Sequence, residues 1–280
     1  MSVRSLWAVL ETLHDVTYFT PEAKAAHEAA GLRGFWRGYV ATRAAPLGEA
    51  SLGAVTAVFH NFAPSFLARS LPSVWAQVSP DRALAARLTG AVTALHTRVP
   101  EFGEQARTAE AAALLRRIVE TGDWDGRALG RANAVLPWPD DPLAAVWQGA
   151  TALREHRGDG HVVTLVSEGI GGLEAHVLRD AADGSRGLTA PNRGWTDEEW
   201  SAAQDRLAAR GLVTAEGALT GEGARLREHI ERRTDELSEA AYGGATTAEL
   251  AWLEDFLRPF ARRLVPGAVP LPNPVGAPAP

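Results

Sequence analysis

The sequence predicts a mainly α-helical protein, a helical first half joined to a second half whose helices are interrupted by one pair of short strands. Three observations predict it. Apolar residues recur at helical spacing along most of the 280 residues. Prolines and glycines fall where helices start and stop. The first half holds no alternating run of strand length.

The first helix is expected over residues 5–14, with Leu6, Val9, Leu10 and Leu13 on one face, until Tyr18-Phe19-Thr20-Pro21 interrupts it. Thr20 with Pro21 is an N-cap with proline at the first helical position, and Gly31 ends the helix it opens. A third helix covers 34–43 and stops at Ala45-Pro46-Leu47-Gly48. Helices over 51–62 and 64–70 follow, then 81–98 and 105–121. The densest break is Leu136-Pro137-Trp138-Pro139-Asp140-Asp141-Pro142, and a domain boundary is expected there, with a helical domain over 1–136.

Beyond the break, Leu143, Val146, Trp147, Ala150 and Leu153 form the apolar face of a helix over 143–157. Gly158-Asp159-Gly160 reads as a turn before a short helix over 161–168. Gly169-Ile170-Gly171-Gly172 leads into a helix over 173–180, followed by a Gly-rich loop. Thr196 with Glu199 three residues on is a capping box, opening a helix that ends at Arg210-Gly211. Leu212-Val213-Thr214 and Ala218-Leu219-Thr220 read as two short strands. Long helices follow over 221–242 and 246–264, and the six prolines of residues 265–280 predict an extended, disordered tail.

Helix, short helix, helix, helix, hairpin and long helix is the element order of a winged helix, expected over 143–242. The stretch Leu207-Ala-Ala-Arg-Gly-Leu-Val213, then Gly217-Ala-Leu-Thr-Gly-Glu-Gly223, resembles the end of a winged-helix domain of the multiple-antibiotic-resistance regulator type. The chain from about residue 5 to 260 also resembles a family of actinobacterial proteins carrying a helix-turn-helix label. The segments that match are Gly31-Leu-Arg-Gly-Phe-Trp36, Arg43-Ala-Ala-Pro-Leu-Gly48, Leu153-Arg-Glu-His-Arg-Gly-Asp-Gly-His161 and Leu173-Glu-Ala-His-Val-Leu178. The resemblance implies fold more than function.

Charge speaks against the usual work of that fold. The chain carries a net charge of −6. A recognition helix over 196–210 would present Asp197, Glu198 and Glu199 where phosphates must approach, and Arg225, Arg227, Arg232 and Arg233 are interleaved with acids. DNA is therefore a possible but disfavoured partner. There is no cysteine, which excludes thiolate metal sites, thiol nucleophiles and disulfides. No phosphate-binding glycine loop follows a strand, so no nucleotide cofactor is expected. The start carries neither the apolar run nor the cleavage site of a signal peptide, and no segment is apolar enough to span a membrane; the cytoplasm is the expected compartment.

Two constellations carry candidate chemistry. Nine of the 20 Phe, Tyr and Trp residues lie between Tyr18 and Trp75, with His14, Tyr18, Trp36, Tyr39, His60 and Arg69 as polar or aromatic handles. Such a set is either plain core or the wall of a small-molecule pocket, expected near Trp138 and Trp147 between the two halves. His156, Asp159, His161 and His176, with Glu174 nearby, form the second set. Imidazole and carboxylate suit a metal or acid–base chemistry, but the spacing matches no metalloenzyme signature and helix capping explains Asp159 and His156 as well. The expected function is binding of a small organic ligand, with DNA binding weak or lost. The alternatives are a ligand-responsive regulator and a His/Asp-dependent, possibly metal-assisted enzyme. Leu250, Leu253, Phe256, Leu257 and Phe260 form a stripe that either pairs two subunits or covers the chain's own core.

Overall fold

The computed structural model describes residues 2–280, which form fifteen α-helices. Nine precede the central one: α1 (Val3–Phe19), α2 (Pro21–Ala29), α3 (Phe35–Ala44), α4 (Leu52–Val58), α5 (Pro64–Leu67), α6 (Pro80–Arg98), α7 (Pro100–Glu104), α8 (Ala106–Thr121) and α9 (Ala128–Ala134). The 26-residue α10 (Pro142–Ser167) runs through the middle. It is followed by α11 (Gly172–Asp183), α12 (Arg186–Thr189), α13 (Asp197–Ala209), α14 (Gly221–Glu239) and α15 (Thr247–Leu264). No helix among the described residues is long and apolar enough to cross a membrane.

Side-chain caps set many of the starts. Thr20, Ser51, Ser79, Asp141 and Thr220 each accept an amide of the first turn, and Thr196 and Thr246 do so within full capping boxes. Tyr18 and Phe19 do not interrupt α1; the helix runs on until Thr20, which ends it and caps α2.

Three apolar cores result. The first gathers Leu10, Leu13, Leu95, Phe102, Leu115 and Trp147 from α1, α6, α7, α8 and the first half of α10, and α15 returns to it with Leu253 and Leu257. The second packs Tyr39, Val40, Phe59, Phe62, Phe66 and Val74 around α3 to α5. The third joins Leu165 at the end of α10 to Leu173, Val177, Trp200, Leu207 and Ile230 of α11, α13 and α14. The loop before Pro142 is a real break in the chain, yet α10 and α15 carry the first core across it.

Three further expectations are corrected: the turn, the wing and the free tail. Gly158-Asp159-Gly160 is not a turn but the interior of α10. The helical cost of two glycines, about 1 kcal/mol each, is offset by tertiary contacts: the Arg127 guanidinium lies against Gly160, and the Asp159 carboxylate accepts the Gly130 amide at 2.8 Å. Asp159 thus satisfies an amide of the first turn of α9 across space and does not cap a helix at His161. The two-stranded wing is also absent. Its arms meet only at a single antiparallel bridge, Val213 to Leu219, because Thr220 caps α14 at once and Gly223 presses on the Leu212 carbonyl, leaving no residues for a ladder.

The α15 stripe is covered by this chain, with Leu250, Leu253, Phe256, Leu257 and Phe260 all buried, so it offers no apolar face to a second subunit. Nor does the tail hang free. Val269, Asn273 and Ala277 are buried, and its prolines lay it along the protein instead of away from it.

Candidate functional site

A cavity of about 770 Å³ opens between the helical half and the α11–α14 unit, within the 300–1,000 Å³ range of small-molecule sites. Its floor is a buried ion network at the middle of α10. Arg43 grips both oxygens of Glu155 at 2.9 and 3.0 Å, while Arg154 bridges Glu155 and Glu11, each at 2.9 Å. Burial alone would raise the Glu155 carboxyl, but Arg154 and Arg43 override it and hold the group well below the usual carboxylate range. Tyr39 and Phe59 continue the floor, with the Arg43 guanidinium stacked 4.4 Å from the Phe59 ring centre.

One rim is Arg157, stacked 4.0 Å over Trp7 and donating to Asp235 at 2.9 Å and Glu231 at 3.2 Å. The opposite wall comes from α11, α14 and the connection between α11 and α13. Arg179 pairs with Asp183 at 3.2 Å, and Arg227 projects from α14. Arg193 sits in the connection, buried, with its guanidinium 4.4 Å from the Phe62 ring centre. It donates to the carbonyls of Asn192 at 3.0 Å and Pro274 at 2.5 Å, and no carboxylate pairs with it among the described residues. Burial pushes it down to about 10, and Arg43 and Arg154 push the same way.

The docking of the two halves explains the geometry. Gly172 lies so close to the His60 carbonyl that any Cβ would overlap it, and Gly194, at φ +78°, packs directly on Phe66. Between these contacts the Ala63 amide donates to the Arg193 carbonyl at 2.9 Å, and Trp195 Nε1 donates to the Asn61 carbonyl at 3.0 Å. The tail closes the top with Val275, Gly276 and Pro278.

Four buried polar atoms on this wall and rim have no protein partner: Arg157 Nε, Arg193 Nε, His176 Nε2 and Asn61 Oδ1. Burial, with Arg193 beside it, pushes the His176 imidazole down to about 3. All four atoms are enclosed by protein and none opens onto the cavity.

The sequence candidates divide. Tyr39, His60, His161 and His176 line the cavity; His14, Tyr18, Trp36 and Arg69 do not. Thr151 spends its proton on the Trp147 carbonyl, so His14 Nδ1 donates to Thr151 Oγ1 at 2.9 Å and His14 Nε2 accepts the Tyr18 hydroxyl at 2.9 Å. That imidazole is held neutral by burial and has nothing left for a ligand. The space beside Tyr18 and Tyr39 is about 20 Å³, room for about one water. Trp36 packs on Phe62 and Phe66, and Arg69 stacks on Phe66 from the exposed side. Trp147 is core and Trp138 lies under Arg116, so the cavity is not where those tryptophans are.

The His/Asp set is dispersed. His156 Nε2 donates to the Asp123 carbonyl at 2.9 Å with its ring edge-on to Trp124, and burial pushes it down to about 4. His161 reaches Thr234 Oγ1 at 3.1 Å. No group of three or more His, Asp or Glu side chains among the described residues is gathered as a metal site requires. The residues that sequence reasoning missed are Arg193, Arg157 and Asn61, while Arg227 was read only as one of a basic group on its helix. Arg193 and Asn61 lie in loops without periodicity, and nothing local marks an arginine that will be buried by a distant element.

The chain belongs to a helix-turn-helix family, matched over residues 3–270. No curated protein and no solved structure matches it. Residues 184–196, with α12 inside, connect α11 to α13. That connection carries Arg193 and docks on the helical half. The surfaces of α13 and α14 offer few free positive charges. The outward side of α13 shows Glu198, Asp205 and Arg206; Arg206 is paired with Glu174 at 2.8 Å, and Arg210 donates to the Gly169 and Glu168 carbonyls. On α14, Arg225, Arg232 and Arg233 pair with Glu222 or Glu236 of the same helix.

Proposed function

We propose that this helix-turn-helix protein binds a small organic ligand in the cavity between its two halves, with the helix-turn-helix unit serving as a wall of the site more than as a DNA reader. One observation carries the reading: a single space of about 770 Å³ between the two halves is lined by aromatic rings and by eight arginines against three carboxylates. A concave, ligand-sized space with apolar walls and a few polar groups is the ordinary form of a small-molecule site. Trp7, Tyr39, Phe59 and Phe62 supply the apolar surface such a ligand needs.

The test is a thermal-shift screen of small metabolites against the wild type and Ala175→Phe, which puts a large side chain into the cavity from α11. Compounds that raise the melting temperature of the wild type and not of the plugged variant support the reading. No such compound, or hits indifferent to the plug, would remove it.

Family membership favours a second reading, a ligand-responsive transcriptional regulator. Gel retardation of random duplex at low salt tests it, because the phosphate contribution to binding is independent of sequence. Retardation at micromolar protein supports the regulator; its absence, which the carboxylates of α13 lead us to expect, leaves the scaffold reading.

A further inference from the structure

We infer that the occupant of this cavity is a small organic anion whose acidic group is met by Arg193 and Arg227. The inference rests on the ligand-binding reading above and adds the chemical class.

Charge pairing around the cavity is uneven. Eight arginines line it against three carboxylates among the described residues. At the floor and the Trp7 rim the positive charges are answered: Arg43 and Arg154 by Glu155 and Glu11, Arg157 and Arg4 by Asp235 and Glu231, Arg258 by Glu254. At the wall formed by α11, the long connection and α14 they are not. Arg179 has Asp183, but Arg193 and Arg227 form no ion pair among the described residues. Asp183 and Glu231 are felt by Arg227 only at a distance. Arg179 acts electrostatically on both unpaired arginines, which places the three in one neighbourhood carrying a surplus of two positive charges over Asp183.

Arginine stays charged even when buried, so relief must come from an anion and not from proton loss. Arg193 and Arg227 line the cavity, a guanidinium is the kind of donor that a carboxylate or phosphate oxygen accepts, and stacking on Phe62 holds that of Arg193 in place. An apolar body is accommodated by Phe59, Phe62 and Tyr39. A free inorganic anion would satisfy the arginines but leave the apolar walls and most of the 770 Å³ unused.

The experiment compares sodium benzoate and phenyl phosphate with neutral benzamide, and with inorganic phosphate, by thermal shift at matched ionic strength. The proteins are the wild type and the double variant Arg193→Gln/Arg227→Gln. The aromatic anions at about ten times their Kd should raise the wild-type melting temperature by about 2–6 °C, inorganic phosphate less, and benzamide hardly at all. The double variant should lose the anion response, and without ligand it should melt a little lower than wild type, because Arg193 also donates to the Asn192 and Pro274 carbonyls. Equal shifts with benzamide in both proteins would overturn the anionic class and keep the ligand-binding reading. A double variant that melts lower yet still responds to benzoate would show the arginines to be structural only. If no probe shifts the wild type, this inference falls; the reading beneath it falls only if the metabolite screen is also silent.

Discussion

Glu155 is the residue on which the floor of the cavity depends. Its two oxygens hold Arg43 and Arg154, both fully enclosed, and no other carboxylate contacts Arg43 among the described residues. Glu155→Gln keeps the shape but strands a buried guanidinium, so a loss of about 3–5 kcal/mol of stability is expected, read as a lower midpoint in urea. Gly172 is the corresponding backbone position. An alanine methyl there would overlap the His60 carbonyl, and forcing the two halves apart should cost about 1–3 kcal/mol or more. Gly187→Ala, where the added methyl meets nothing, is the control and should leave the midpoint where it is. Roles at this scale were poorly legible from sequence. His14 and His176 look alike in a string of letters; one is saturated by Thr151 and Tyr18, the other is left with a free nitrogen, and only the packing of α1 and α11 decides which.

Elements were more legible, because their signals are local. The capping residues Thr20, Thr196 and Thr246 and the prolines that open α2, α6 and α10 lie within a few residues of what they determine. The turn expected at Gly158-Asp159-Gly160 was misread because the compensation for two helical glycines comes from Arg127 and Gly130, far away in the chain. The tail was misread for the same reason: its proline content predicts extension, while docking depends on Arg193, whose donation to the Pro274 carbonyl pins it over the cavity. Deleting residues 274–280 removes no member of the first core, which ends at Val269. Such a variant should melt within a few degrees of wild type, yet bind and release cavity ligands faster in stopped-flow tryptophan fluorescence. Unchanged rates would mean that the tail does not cover the entrance.

The whole molecule answers to pH through its buried imidazoles. His27 and His156 are pushed down to about 4 and His176 to about 3, each chiefly by burial, and His14 is lowered as well. The unfolded chain takes up these protons near pH 6.5 while the folded chain refuses them. Stability carried by these groups is thus complete above pH 6.5 and lost as pH falls toward 4. Asp159 runs the other way. Burial raises its carboxyl from 3.8 to about 7, so the folded form holds a proton that the unfolded form lacks between those values; buried Asp15 has the same sign. Four imidazoles outweigh two carboxyls, and calorimetry should find a lower melting temperature at pH 5 than at pH 7.

At this scale the helical class was plain from periodicity and the acidic first turn of α13 from its letters. The cavity was not, because it is made by the meeting of α10, the α11–α13 connection and the tail, the first and last of which lie more than a hundred residues apart. The most direct test of the account is the binding of 8-anilinonaphthalene-1-sulfonate, an aromatic anion that fluoresces when shielded from water, to the folded protein at neutral pH. The account predicts saturation at one probe per chain, with the signal lost in Ala175→Phe. Emission equal in the plugged variant, or none in the wild type, would contradict it.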